Sequence, residues 1–320
     1  MEWIISHQSA VEYWRSAHAR KALAGQKLRL RKLPDKPADA AGLTTQYLGG
    51  ISLPAHVLVG SDNARKSTRK LCCHICSGTF PLGSFIRIDE GSVVSSPELC
   101  FVQMASALTL VELVQFGFEL CGKYRLDAGH DSNRGFRDDD PLTSVAQLER
   151  YISKASGMRG RKNAQTALRY MADNSASPME TILTMLLTLP YRLGGFGFSM
   201  PLLNCPVRIR GDANKAPGRA SYYCDLYWPE EQVDVEYDSD SYHLTSGQIT
   251  KDSKRRNALF KAGATVVSVT KGQIQNRAEL RKVAKLLSDY LEKRLVYPLP
   301  EFETRHAMLH RQLLFMKHRG

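Results

Sequence analysis

The order of apolar patterns between residues 177 and 295 constrains the fold of this chain more than any other feature. Ser177-Pro178-Met179-Glu180 reads as a helix start, and Met179, Ile182, Leu183, Leu186 and Leu187 follow on one helical face. Pro206–Arg210, Ser221–Trp228 and Gln232–Asp238 read as three consecutive strands. A helix over about Ser246–Ala262, a short β-branched strand over Ala264–Val269 and a last helix over about Gln273–Leu295 complete the pattern. Helix, three strands, helix, strand, helix is an alternation that implies a sheet covered on both faces, and it sets the fold class as mixed α/β.

The front of the chain is a smaller mixed α+β region. A helix is expected around Ser9–Ala24, followed by a basic stretch of Arg20, Lys21, Lys27, Arg29, Arg31 and Lys32 that Pro34 and Pro37 end. That stretch reads equally as an arm for phosphates or as a solvated face with a linker. Residues 51–94 alternate short apolar runs, such as His56-Val57-Leu58-Val59 and Ser84-Phe85-Ile86-Arg87-Ile88, with turn residues, the pattern of short strands. Ser96-Pro97 opens a largely apolar helix to about Leu120, Asp127–Asp140 reads as a polar loop, and Leu142–Tyr151 and Arg161–Ala172 read as helices. The resulting division is 1–50 (helix and basic linker), 51–172 (mixed domain, a DNA reader or partner domain), 173–297 (the α/β domain) and 298–320. This last segment is a basic tail that reads equally as an extension or a packed helix.

Charge adds a functional constraint. Among 320 residues, 44 Lys and Arg stand against 32 Asp and Glu, a net charge of +12, which points to a polyanion partner, nucleic acid before membrane surface. No run of about 18 apolar residues exists, so no membrane span is expected. The first residues lack a basic lead and a long apolar run, so a cytoplasmic protein is expected. Seven scattered cysteines, an odd number, suit reduced thiols rather than a disulfide framework.

Within this basic chain, Asp225–Asp240 holds seven acids and no Lys or Arg. Strand alternation puts Asp234, Glu236 and Asp238 on one face and Val233, Val235 and Tyr237 on the other. Like charges so stacked persist in open solvent or around a divalent cation, and magnesium takes oxygen ligands, typically one or two carboxylates. Residues 246–294 reverse the sign, with twelve Lys and Arg against four acids. A carboxylate cluster ringed by cations fits metal-assisted phosphodiester cleavage. The competing reading is an exposed edge strand studded with acids against aggregation, followed by a solvated basic helix.

The spacing of these residues resembles the PD-(D/E)XK restriction-endonuclease-like superfamily, in particular the branch akin to very-short-patch-repair endonucleases. The residues that carry the resemblance are Ser177-Pro178-Met179-Glu180, Asp225, Glu236-Tyr237-Asp238, His243 and Asp252-Ser253-Lys254-Arg255, followed by the stretch from Arg256 to Val267. It spans about Ser175–Leu295. The resemblance implies a restriction-endonuclease-like core and a Mg2+- (or Mn2+-) dependent deoxyribonuclease of phage defence or DNA repair. Glu180, Asp225 and Glu236 would hold the metal, Asp238 would be an auxiliary ligand or orient a water, and His243 would be a general base or phosphate contact. Gln248, Lys254, Arg255 and Arg256 would meet DNA. The chain departs from the family where Asp238 stands in place of the usual Lys, whose role Lys251 or Gln248 would then take, and where Ser239 replaces a common Gly. The stretch Val94-Ser95-Ser96-Pro97-Glu98 and the helix after it resemble, weakly, the antitoxin-regulator proteins of abortive-infection systems. That likeness keeps a second function open, a DNA-binding antitoxin-like regulator with an inactive nuclease fold, with a toxin-like protein or a second copy as partner.

Two further signals read as structural. Cys73-His74-Ile75-Cys76 lacks the second ligand pair that a structural zinc site needs. Gly194-Gly195-Phe196-Gly197 lacks the Gly-Lys-Ser/Thr of a phosphate loop and reads as a turn before the first strand of the α/β domain.

Overall fold

The computed structural model describes residues 3–28, 30, 33–35, 51–65, 67–76, 78–127, 134–208, 221–238, 263–297 and 300–315. The chain is mixed α/β and divides into two compact units, at Met171 and Ala172.

The first unit is built on a six-stranded mixed sheet with the order β2-β5-β6-β1-β3-β4. Its strands are β1 (Trp3–Ile5), β2 (Lys27–Leu28), β3 (Ala55–Val59), β4 (Leu71–Ile75), β5 (Phe85–Arg87) and β6 (Ser92–Ser95). β1 lies between β6, to which it is parallel, and β3, to which it is antiparallel. The first fifty residues thus supply an interior strand of the sheet formed by residues 51–95. The sheet carries α1 (His7–Arg15), whose buried Trp14 donates its indole N–H to Ser95 O at 2.9 Å. α2 (Ala19–Leu23) follows after a break at Ser16, whose extended backbone interrupts the single helix expected over Ser9–Ala24.

The apolar helix expected from Ser96 to Leu120 is two helices, α3 (Pro97–Met104) and α4 (Leu110–Cys121). Thr109 is the cause. It caps α4 in a reciprocal capping box with Glu112, which requires a non-helical backbone at that point. Cys100 and Cys121 are buried in these helices, and all seven cysteines are free thiols.

The polar stretch Asp127–Asp140 reads as loop from its composition, but Phe136–Asp138 forms β8 and pairs with β7 (Tyr124–Leu126). Arg125, fully buried in β7, explains the hairpin. Its guanidinium donates to the carbonyls of Glu119, Tyr124 and Asp140. Glu119 in turn accepts two hydrogen bonds from Arg15, at 2.9 and 2.8 Å, and the N–H of Leu126. Arg20, from the stretch read as a phosphate arm or solvated face, pairs with Asp139 at 2.6 Å. α5 (Val145–Lys154) and α6 (Arg161–Ala167) close the unit.

The second unit begins with α7 (Pro178–Thr188) and holds a four-stranded sheet ordered β12-β11-β10-β9. β9 (Leu202–Arg208), β10 (Ser221–Trp228) and β11 (Val233–Asp238) form an antiparallel meander, and β12 (Thr265–Thr270) is parallel to β11. The acid-rich strand β11 is therefore interior, and Val233, Asp234 and Val235 are all buried. The edge-strand reading of the acids is overturned. The helix expected over Ser246–Ala262 lies outside the described residues. The last expected helix is again two, α8 (Lys271–Gln275) and α9 (Arg277–Tyr290), because Asn276 adopts an extended backbone and caps α9 through Oδ1.

The basic tail contains a packed helix, α10 (Glu301–Phe315), whose His306 and His310 are buried against the carbonyls of Gly194 and Ile274 at 2.7 and 2.8 Å. The glycine-rich turn has a steric reason. At Gly194 φ is +92°, and a Cβ there would stand 2.4 Å from Arg305 O. Among the described residues, no helix is long and apolar enough to cross a membrane.

Candidate active site

Glu180 sits in the first turn of α7. Ser177 caps that helix by accepting the Glu180 N–H at 3.1 Å and donates its hydroxyl to Glu180 Oε1 at 3.0 Å. In a closed capping box the carboxylate would return to the cap residue's own N–H. Here Oε2 accepts from Ala176 N at 3.0 Å and from the side-chain amide of Asn204 at 2.7 Å. Capping therefore accounts for part of Glu180's role, and the rest of its carboxylate is drawn onto the sheet.

Asn204 interrupts the regular backbone of β9 with φ of +45°, a left-handed conformation that Asn tolerates better than most residues. Its neighbours pair in register with β10, Cys205 with Cys224 and Leu203 with Leu226, so Asn204 lies across from Asp225. Side chains opposite one another in an antiparallel pair share a face. Along β10, Cys224, Leu226 and Trp228 are buried, whereas Asp225 and Tyr227 are half-buried on the opposite side.

The pairing of β10 with β11 is registered from Trp228↔Val233 to Leu226↔Val235. One step further stand Asp225 and Glu236. There Asp225 Oδ2 accepts the backbone N–H of Tyr237 at 2.9 Å. In the parallel direction Glu236 pairs with Ser268 and Asp238 with Thr270. Asn204, Asp225, Glu236 and Ser268 thus form a polar row across one sheet face, with Glu180 reaching it from α7. Asp234, fully buried and across from Tyr227, lies on the same face of β11 as Glu236.

This placement makes Glu180 a strong proton holder. Burial first, then the negative charge of Asp225, push its carboxyl up to about 7, against the opposing hydrogen bonds from Ala176, Asn204 and Ser177. A carboxyl titrating near neutrality beside a second carboxyl is an arrangement suited to proton transfer or to a cation.

Of the expected metal ligands, Glu180 and Asp225 are electrostatic neighbours, and Glu236 follows Asp225 across the ladder. Their carboxylate oxygens do not form a group within 4.8 Å of one another. Glu180 is held by Ser177, Ala176 and Asn204, and Asp225 by Tyr237 N. His243, Gln248, Lys251, Lys254, Arg255 and Arg256 lie outside the described residues. Sequence reasoning missed Asn204, and a polar residue in the otherwise apolar run Leu202-Leu203-Asn204-Cys205 was the available signal.

Among the described residues, one group of three ligands does lie within 4.8 Å: His56, Cys72 and His74, in the first unit. It could hold a metal ion. Comparison with family models, with curated proteins and with solved structures gives no match.

Proposed function

We propose that the second unit is a metal-dependent nuclease-type domain that hydrolyses DNA phosphodiester bonds. The observation that carries this reading is the Glu180–Asp225 relationship: a carboxyl raised to about 7 by burial first and then by the charge of a second carboxyl, on a face shared with Glu236. The donor set is all oxygen and suits Mg2+ or Mn2+, which need only one or two carboxylates besides water and substrate phosphate. A bound divalent ion there would lower the pKa of its water and stabilise the leaving oxygen. Glu180 and Asp225 would hold the ion, and Glu236 and Asp238 would orient ligands from β11. Asn204 positions Glu180. The same unit has an open cleft lined by Asn276, Arg277, His310 and Arg311, whose two arginines suit a phosphate backbone.

The dispersed hydrogen bonding of the carboxylates, together with Asp238 where the family pattern has Lys, favours a second reading. In it the domain binds DNA as an antitoxin-like regulator without cleaving it, alone or with a protein partner. Cleavage of plasmid and single-stranded DNA with Mg2+ or Mn2+, comparing wild type with Asp225→Ala and Glu236→Ala, separates the two. Cleavage by wild type alone supports the nuclease. Salt-sensitive DNA binding by all three proteins without cleavage supports the regulator.

A further inference from the structure

We infer that His56, Cys72 and His74 form a zinc site in the first unit, independent of the carboxylate face. The donors come from two adjacent parallel strands. Cys72 and His74 are two apart on β4 and so share a face. His56 on β3 is in register with Cys72, and Leu58 with His74, which puts the imidazole of His56 on that same face.

The distances fit a tetrahedral ion. Cys72 Sγ lies 3.5 Å from His74 Nε2, and His74 Nε2 lies 2.9 Å from His56 Nδ1. Zinc bonds of about 2.3 Å to sulfur and about 2.0–2.1 Å to nitrogen, at tetrahedral angles, place S and N about 3.6 Å apart and two nitrogens about 3.3 Å apart. The S–N edge is met, and the N–N edge needs a widening of a few tenths of an ångström.

Hydrogen bonding alone satisfies this cluster poorly. An imidazole nitrogen has a single in-plane valence, either a proton or a lone pair. His74 Nε2 faces both a thiol and a second ring nitrogen, and can serve one of them. A metal ion accepts all three donors at once.

The surroundings hold the ligands in place. His7 stacks on His74 with centroids 3.7 Å apart and planes at 17°. His7 is itself fixed by Ser6 Oγ on Nδ1 at 3.0 Å and by Gln103 Oε1 accepting its backbone N–H at 3.1 Å. His56 donates its backbone N–H to Ser9 Oγ at 2.8 Å. The three ligands are half-buried, which leaves an entry path. A His2Cys set supplies three ligands to an ion that takes four, so the fourth position falls to water or an exogenous donor, the pattern of reactive rather than structural zinc.

The test uses the full chain, stripped with a chelator and titrated with Co2+ and then Zn2+. One equivalent of Co2+ is expected to give a thiolate-to-metal charge-transfer band and the intense visible bands of a tetrahedral ion, and Zn2+ should bleach both. Cys72→Ser should remove the charge-transfer band, and His74→Ala should weaken binding at least about a hundredfold. Cys76→Ser, a change at a neighbouring thiol, should alter neither. Should a ligand variant fail to fold, the wild type decides. Zn2+ must protect Cys72 from a thiol-alkylating reagent, read by peptide mass, while Mg2+ does not. Absence of the bands in wild type, their persistence in Cys72→Ser, or unprotected Cys72 at saturating Zn2+ overturns the site.

Discussion

The side-chain amide of Asn204 donates to Glu180 Oε2 at 2.7 Å, tying the first turn of α7 to the only left-handed position in β9. That bond holds a buried carboxyl next to Asp225, and the resulting proton affinity of Glu180 has consequences for stability and for chemistry.

The raised affinity makes the second unit less stable as pH rises. Unfolded, Glu180 would titrate near its ordinary value of 4.5; folded, it titrates at about 7. Below 4.5 both states hold the proton and the contribution is fully present. Between 4.5 and 7 the unfolded chain gives its proton up first, so stability falls, by an amount on the order of 3 kcal/mol once pH exceeds 7. Glu180→Gln should flatten this dependence and be the more stable protein at pH 8. Hydrogen exchange over residues 178–188 at pH 5.5 and pH 8 measures it. An unchanged pH slope in Glu180→Gln would show that the carboxyl is not perturbed.

Backbone conformation at Asn204 should matter separately from its hydrogen bond. Gly removes the amide but accepts φ of +45°, whereas Val removes the amide and resists that backbone. Asn204→Val should therefore be less stable than Asn204→Gly, by on the order of 1–3 kcal/mol. Urea denaturation of both variants gives the comparison. Equal midpoints would mean that β9 relaxes to a regular strand when Asn204 is replaced.

The first unit carries its own buried charge network, in which Arg15 grips Glu119 bidentately beneath the β7–β8 hairpin. Burial opposes ionisation of Glu119, but the charges and hydrogen bonds of Arg15, with Arg125 and Leu126 N, outweigh it and hold the carboxyl below the usual range. Its stabilisation is present above the ordinary carboxylate pKa and lost as pH falls through the lower folded value. Glu119→Leu leaves Arg15 and Arg125 without their carboxylate and should cost about 3–5 kcal/mol, with Arg15→Leu recovering part of that in the double variant. Thermal unfolding of the two singles and the double checks the coupling. Strict additivity would argue against it.

How far the sequence reveals this molecule follows from which physical rule governs each part. Two strands of the second unit, β10 and β11, were legible because apolar and turn residues alternate cleanly there, whereas the first, expected over Pro206–Arg210, starts four residues earlier, at Leu202. Helix breaks at Thr109 and Asn276 were not, since apolar periodicity continues through both and the interruption depends on a cap residue's side chain. At the candidate site, Asp225 and Glu236 could be picked out as acids in strands, whereas Asn204 stands out only as a polar residue in an apolar run, and its role depends on a left-handed backbone that composition does not encode. The His56, Cys72 and His74 cluster escaped for a different reason. Its Cys-x-His spacing is that of a strand, with the third donor on the adjoining strand, whereas Cys73-x-x-Cys76 has the spacing of a turn-borne zinc site.

The turn at Gly194 gives the strongest steric expectation. At φ of +92° a β-carbon would meet Arg305 O at 2.4 Å and His306 N at 2.9 Å, both backbone atoms of α10 that have little freedom to move. The same turn offers its carbonyl to His306 Nδ1, and Phe196 and Phe302 pack against the His306 ring at 4.8 and 5.4 Å. Gly194→Ala combines an unfavourable backbone with a collision, and should cost more than the roughly 1 kcal/mol of an ordinary Gly-to-Ala change at positive φ. The loss should appear first as faster hydrogen exchange in residues 301–315, with residues 3–28 unaffected. His306→Ala, which removes the anchor without strain, should loosen the same helix to a lesser degree. Unaltered exchange over 301–315 in both variants would mean that contacts elsewhere hold α10 in place.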